Sequence, residues 1–295
     1  MSAVSFAPHA ADFSCSWRRK CHHVGSKSIL SAQSSPFFGR SGLDEDNPIL
    51  HAQLPDGSRF AAVIPPVVRL TPALIIRKFT SRHYTVEDLI ARGTLTRPLA
   101  DFLAEQIRSG KTLLISGGTG TGKTTLLRIL ADFIPEQERL VVIEDTSELQ
   151  IQKPNILAVE CRTDTFKANI TFDDLLKSAL RWRPDRIILG EVRGIEARTL
   201  LDSFNTGHAG SLATIHANSA EKALHRFANL VMRNHAQTTF SDTEAEIGEA
   251  VDFVVHVERQ PGRRIIREVL ALRGYDRDAK RFLIEPVFEV KHATA

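Results

Sequence analysis

Cysteine is scarce in this 295-residue chain; Cys15, Cys21 and Cys161 are the full set. Three scattered thiols cannot build a disulfide scaffold, and they point to a reducing cytoplasm. Cys15, Cys21, His22 and His23 lie close in sequence, but their spacing fits no zinc-ligand pattern. No apolar run approaches the ~18–20 residues of a spanning helix, which excludes integral insertion but not peripheral docking. An excess of one charge is missing as well. The 38 basic and 35 acidic residues leave +3, a balance unlike that of a nucleic-acid coat or a polybasic membrane anchor. What is present is ordinary: 42% hydrophobic and 25% charged residues. That is enough apolar side chain for the core of one large domain or two modest ones.

The chain divides by pattern into three stretches. Residues 1–42 are serine-rich and basic. They show neither a helical nor an alternating apolar period, and they lack the apolar core of a secretory signal. They read as a disordered or atypical tail. Residues 43–96 read as a partial N-terminal α/β domain and linker. There Pro55-Asp-Gly57 signals a turn into a strand ending at Ile64. A second strand is expected over Leu74–Phe79, then a short helix over Tyr84–Gly93 that Thr85 can cap. Residues 97–295 open on an amphipathic helix, Arg97–Ser109, with Leu99, Phe102, Leu103 and Ile107 on one face. Short apolar strands then alternate with helices, which argues for an α/β sheet covered on both faces. The last three strands, Val251–Glu258, Ile265–Leu272 and Phe282–Val290, read as a small antiparallel addition.

The strongest motif is Gly117-Gly118-Thr119-Gly120-Thr121-Gly122-Lys123-Thr124, which fits G-x-x-x-x-G-K-[ST]. Leu113-Leu-Ile115 supplies the strand before it and Thr125–Leu130 the helix after it. Glycines let the backbone wrap a polyphosphate, and a helix N-terminus adds a favourable dipole. Lys123 can reach the β- and γ-phosphates of ATP, and the Thr124 hydroxyl can ligate Mg²⁺. Gly117 to Thr125 are therefore the expected nucleotide-binding residues.

Hydrolysis also needs a metal anchor and an oriented water. Two apolar strands end in carboxylates, where α/β sheets bind ligands. One is Leu140–Glu144, followed by Asp145 and Glu148; the other is Arg186–Gly190, followed by Glu191. Glycine rather than aspartate precedes Glu191, so a carboxylate of the first strand (Glu144, Asp145 or Glu148) has to share the work. The segment Thr206–Ala217 adds two histidines. His216 ends a strand, as Glu191 does, and can sense a γ-phosphate or its water. His208, in a turn between glycines, reads more simply as structural.

Together these segments resemble one family. Glu144–Leu149, Leu180–Gly194 and Thr206–Ala217 look like the Asp box, Walker B and His box of the type II/IV secretion ATPases, closest to the Trb-type conjugal-transfer and type IV secretion branch. Pro55–Arg59 and Ile76–Phe79 resemble that branch's N-terminal domain. The resemblance runs from about Leu43 to about Phe288; Met1–Arg40 does not look like the family's longer ordered start. It implies a RecA-like P-loop ATPase domain behind a small α/β N-terminal domain. It also implies a homo-hexamer without a transmembrane segment, held at the cytoplasmic face of the inner membrane by secretion or conjugation machinery. Lys123 and Thr124 carry over as phosphate and Mg²⁺ ligands. Glu191 carries over as the Walker B acid, holding Mg²⁺ directly or through water, and Glu144 and Glu148 as candidates for positioning water. Arg77, with Arg59 a weaker candidate, matches an N-terminal arginine that completes the site. No nucleic-acid site stands out. The rival readings are a pilus retraction or assembly motor of the same superfamily, and a nucleotide-gated scaffold without useful turnover.

Overall fold

The computed structural model describes residues 2–5, 43, 45–54, 56–69, 71–78, 84–162, 169–233 and 238–290. Two compact units result: Met1–Arg82 with Asp164–Ala168, and His83–Thr163 with Asn169–Ala295.

The first unit holds a four-stranded antiparallel sheet, ordered β1-β4-β3-β2. Its strands are β1 (Ser2–Ser5), β2 (Ile49–Gln53), β3 (Arg59–Val63) and β4 (Ala73–Arg77). Beyond β1, the expected tail with its cysteine–histidine cluster lies outside the described residues. The turn before β3 forms as the sequence suggests: Gly57 takes φ 81°, and Ser58 N–H donates to Asp56 Oδ1 at 2.9 Å. β3 buries Phe60 and Ala62 and leaves Arg59, Ala61 and Val63 half-exposed, the period of a one-sided sheet. Arg59 and Arg77 pair directly across β3 and β4, so the two candidate arginines are cross-strand neighbours.

The second unit starts with two helices, α1 (Val86–Ala91) and α2 (Arg97–Arg108). Thr85 and Asp88 close a reciprocal capping box on α1, and the Thr96 hydroxyl accepts from Leu99 N–H at the start of α2. Leu89 of α1 packs into the same core as Leu99, Leu103 and Ile107 of α2. The compact unit therefore begins ahead of α1, not at Arg97.

An eight-stranded sheet follows, ordered β12-β11-β10-β5-β9-β8-β6-β7. Its strands are β5 (Leu113–Gly117), β6 (Leu140–Glu144), β7 (Ile156–Glu160), β8 (Arg186–Val192), β9 (Leu212–His216), β10 (Phe253–Gln260), β11 (Arg263–Asp276) and β12 (Arg281–Glu289). From β10 to β7 every neighbouring pair is parallel. All residues of β5 and β6 are buried, which is what strands covered on both faces require. The covering helices are α3 (Lys123–Ala131), α4 (Phe172–Ala179), α5 (Glu196–Asn205), α6 (Ala220–Met232) and α7 (Phe240–Ala250).

Two features differ from the sequence expectation. The helix α7 was not anticipated, because Phe240–Ala250 is rich in Ser, Asp, Thr and Glu and carries a glycine. That glycine is needed: a Cβ on Gly248 would come within 2.9 Å of the Gly274 backbone on β11. The terminal strands, expected as a small antiparallel addition, are antiparallel to one another, but they continue the main sheet through β10. The connection through α6 and α7 returns the chain so that β10 lies parallel beside β5, as a crossover permits, and only β11 and β12 run antiparallel.

Candidate functional site

The parallel register sets the height of each functional residue. Gly117, His216 and Val257 are level on the adjacent strands β5, β9 and β10. All three sit at the carboxyl end of the sheet, with Glu191 near the end of β8 and Glu144 at the end of β6.

The glycine loop connects β5 to α3. Gly117, Gly120 and Gly122 take φ of 156°, 72° and 98°, a region that side chains disfavour. Gly117 also faces the neighbouring strand: a Cβ there would lie 2.4 Å from the Val257 carbonyl oxygen. Gly122 is the N-cap of α3 and offers no side chain to its first N–H groups. A loop of left-handed glycines running into an uncapped helix start suits an anion. The Lys123 side chain folds back into this loop, where Nζ donates to the carbonyls of Gly117 at 3.0 Å and Gly118 at 2.8 Å. The residue is 7% exposed. Burial pushes its pKa down, and Glu191 partly offsets that.

His216 joins this lysine to the acid of β8. Its Nδ1 lies 3.3 Å from Lys123 Nζ and its Nε2 lies 3.2 Å from Glu191 Oε1. Since the ammonium can only donate, Nδ1 accepts and Nε2–H donates to the carboxylate. Burial first, and Lys123 second, hold the imidazole pKa below its ordinary value, which keeps this neutral tautomer at pH 7. Arg193 then extends the line. Its Nη2 donates to Glu191 Oε2 at 3.0 Å and its Nη1 to Asp145 Oδ2 at 3.2 Å. The result is one continuous path, Lys123–His216–Glu191–Arg193–Asp145.

The other candidates fall elsewhere. Glu144 is 5% exposed, and its Oε1 accepts the backbone N–H groups of Glu148 and Leu149, both at 2.9 Å. Burial raises its pKa to about 7 against the opposing pull of those donors. The next turn of chain is thus pinned around the Glu144 side chain. His208 Nδ1 lies 2.9 Å from the Pro184 carbonyl and so donates to it, which fits the structural reading of that residue. Gly190 lies where the register between β8 and β9 shifts. A Cβ there would be 3.4 Å from Ile143 O and 3.5 Å from Glu144 Cγ, so glycine lets β8 approach β6 closely just before Glu191. Arg77 and Arg59 belong to the first unit.

Sequence reasoning did not single out Arg193, although it stands two residues after Glu191 in extended chain and so shares its side. It also missed Arg259 and Arg264 on β10 and β11. Arg264 Nε donates to Gly120 O at 3.1 Å, and Arg259 Nη1 lies 3.9 Å from the position of a Cβ on Gly120. No sequence signal indicates their nearness, because it depends on β10 pairing with β5.

The oxygen ligands expected for Mg²⁺ are the Glu191 carboxylate, 3.2 Å from His216 Nε2, and the hydroxyl of Thr124 in the first turn of α3. Among the described residues no three His, Cys, Asp or Glu side chains gather into a metal cage. One carboxylate and one hydroxyl are a donor set of the kind that Mg²⁺ takes, since that ion is held by one or two carboxylates together with substrate phosphates.

Comparison with known proteins places this arrangement. The model of the "Type II/IV secretion system protein" family matches residues 22–271. The chain belongs to that family. The conjugal transfer protein TrbB of Rhizobium radiobacter is 40% identical over 240 residues, covering 80% of this chain and 71% of that protein. The VirB11 ATPase of the Brucella suis type IV secretion system, solved in complex with sulphate, is 30% identical with a TM-score of 0.54; the match covers 82% of this chain and 79% of that one. The pilus retraction motor PilT, solved with bound ADP, has a TM-score of 0.51 at 17% identity, covering 83% of this chain and 64% of that one. At that identity the likeness concerns the fold alone. Within the family, relatives of the conjugal-transfer and type IV secretion branch, the branch expected from the three motifs, match by sequence. Among the described residues no helix is long and apolar enough to cross a membrane.

Proposed function

We propose that this chain is an ATP-hydrolysing, Mg²⁺-dependent hexameric motor of a type IV secretion or conjugal-transfer apparatus. Its second unit acts as a RecA-like P-loop domain, and the sheet of its first unit forms part of the N-terminal domain. It works at the cytoplasmic face of the inner membrane, docked to the secretion machinery. The observation that carries this reading is the path from Lys123 through His216 to Glu191. It links the residue that holds phosphate to the acid that holds Mg²⁺ directly or through water, with a histidine able to report on both.

The chemistry follows from these side chains. Lys123 spends its donors on the Gly117 and Gly118 carbonyls, and a polyphosphate in the loop competes for them with charged oxygens that bind more strongly. As the ammonium turns to phosphate, His216 Nδ1 loses its donor. The imidazole is then free to turn, and the Glu191 carboxylate keeps Arg193 as its fixed partner. Thr124 and Glu191 would hold Mg²⁺ beside the phosphates, and the ion would supply positive charge against that building on the γ-oxygens. Arg77 is the arginine that the family resemblance assigns to completing the site, and turnover depends on its charge.

The test is Mg²⁺-dependent phosphate release by the full chain. Lys123→Ala removes the cation that contacts the β- and γ-phosphates and abolishes most turnover. An unimpaired Lys123→Ala protein would overturn the assignment.

A further inference from the structure

The hairpin β10–β11 reaches back over the glycine loop, and no role has been given to it. Gln260 pairs with Arg263, so only Pro261 and Gly262 form the turn. Gly262 has φ 77°, and proline followed by a left-handed glycine fits a type II turn. Arg263 Nε donates to Gln260 Oε1 at 3.0 Å across the turn. This short turn fixes the register one step further in, where Arg259 and Arg264 stand directly opposite each other.

Directly opposed residues of an antiparallel pair share one face, and like charges there repel. Among the described residues neither arginine forms an ion pair with a carboxylate. The Arg264 guanidinium is instead anchored by Nε to the Gly120 carbonyl, and its Cδ lies 3.1 Å from the position of a Cβ on Gly122. Arg259 lines a cavity of about 630 Å³ together with Gly118 and Thr121 of the loop, and Arg267 and the carboxylates Glu258, Glu268 and Glu289 line its other walls. Two exposed guanidinium groups thus meet the same glycine loop from one side, while Lys123 occupies its interior.

We propose that Arg259 and Arg264 form a second phosphate clamp, which contacts the polyphosphate of the bound nucleotide from the β10–β11 side of the loop. This rests on the nucleotide-binding reading above and adds to it two residues of the same unit. Arg264 holds the loop by Nε and presents Nη1 and Nη2 to phosphate oxygens. Arg259 closes on the same oxygens from the opposite strand. An anion between them relieves their mutual repulsion, so the pair binds more firmly as the negative charge of the ligand grows. The clamp therefore discriminates by phosphate number: strongest for a triphosphate, weaker for a diphosphate and nearly indifferent to a monophosphate.

The experiment measures the dissociation constants of ATP, ADP and AMP without hydrolysis, by competition against a fluorescent ADP analogue. It uses the full wild-type chain and the variants Arg259→Ala, Arg264→Ala, Arg264→Gln and the double alanine. Charge-assisted hydrogen bonds lead us to expect a roughly ten- to hundredfold weakening for ATP in the double variant, less for ADP, and little change for AMP. Arg264→Gln keeps a donor for Gly120 O without the charge, and it should lose ATP affinity almost as far as Arg264→Ala. Salt dependence should flatten in the double variant. Unchanged ATP affinity in the double variant overturns the clamp. So does an equal loss for ATP, ADP and AMP, which would mean that the loop has merely collapsed. Lys123→Ala, measured beside them, separates the two readings: if it too binds ATP like wild type, nucleotide binding by this loop fails; if it alone weakens, only the clamp fails.

Discussion

Replacing Gly117 by alanine tests whether the packing of β10 against β5 shapes the nucleotide loop. The added Cβ would lie 2.4 Å from Val257 O and 2.7 Å from Thr121 Oγ1. The first is a main-chain atom of a buried neighbouring strand and cannot turn away. The second belongs to a hydroxyl already donating to Gly118 O at 3.0 Å. Overpacking of this kind costs about 1–3 kcal/mol, and a side chain held at a φ of 156° adds a similar amount. The sum is about 2–6 kcal/mol, which lowers the melting temperature by roughly 5–20 °C for a unit in the range of roughly 150–250 residues. Relief by displacing the loop moves the donors that cradle phosphate, and a shift near 1 Å costs on the order of a hundredfold in rate. Gly118→Ala is the control for stability, because its Cβ would meet only Thr121 Cγ2 at 3.7 Å, an ordinary contact. Scanning fluorimetry and steady-state phosphate release read both variants. A Gly117→Ala protein that melts within about 1 °C of wild type and turns over at an equal rate would refute the reasoning.

Three further outcomes can be measured on the same protein. Glu191→Gln keeps nucleotide binding but loses turnover, since the near-isosteric amide lacks the charge that holds the metal or its water; equal ATPase rates in the two proteins would reject this. The Glu144 carboxyl, pushed up to about 7 from an ordinary 4.5 by burial, favours the folded state only while protonated. Its contribution is full below 4.5 and is lost as pH rises through about 7, on the order of 3 kcal/mol. Urea unfolding between about pH 5 and about pH 8 should show this loss in wild type and not in Glu144→Gln, and parallel profiles would count against it. Arg77→Ala should remain a hexamer by light scattering while turnover falls, by as much as roughly 10³–10⁵ for an arginine on the γ-oxygens. A hexameric variant with undiminished activity retires that role, and a fully active wild-type monomer retires the ring.

Local chemistry decided much of this protein before any packing was known. The apolar runs Leu113–Ile115 and Leu140–Ile143 read as buried parallel strands because both faces must be covered. The helix Ala220–Met232 has its cap at Ser219 and its period in its own residues. The loop from Gly117 to Thr124 carries its glycines and lysine at fixed spacing, so the expectation of a phosphate site came from one short segment. The tertiary structure decided what depends on register between distant segments. Sequence put His216 and Glu191 each at a strand end, but only the order β5-β9-β8 seats one between Lys123 and the other. The same holds for Arg193, whose fork to Asp145 spans two strands, and for β10, whose buried run Phe253–Val257 gives no sign of which neighbour it will pair with. Periodicity reports which face of an element is buried. It carries no information about the partner, which is set by crossover connections and close approaches such as Gly248 against Gly274. The arginines over the loop come from that second kind of determination.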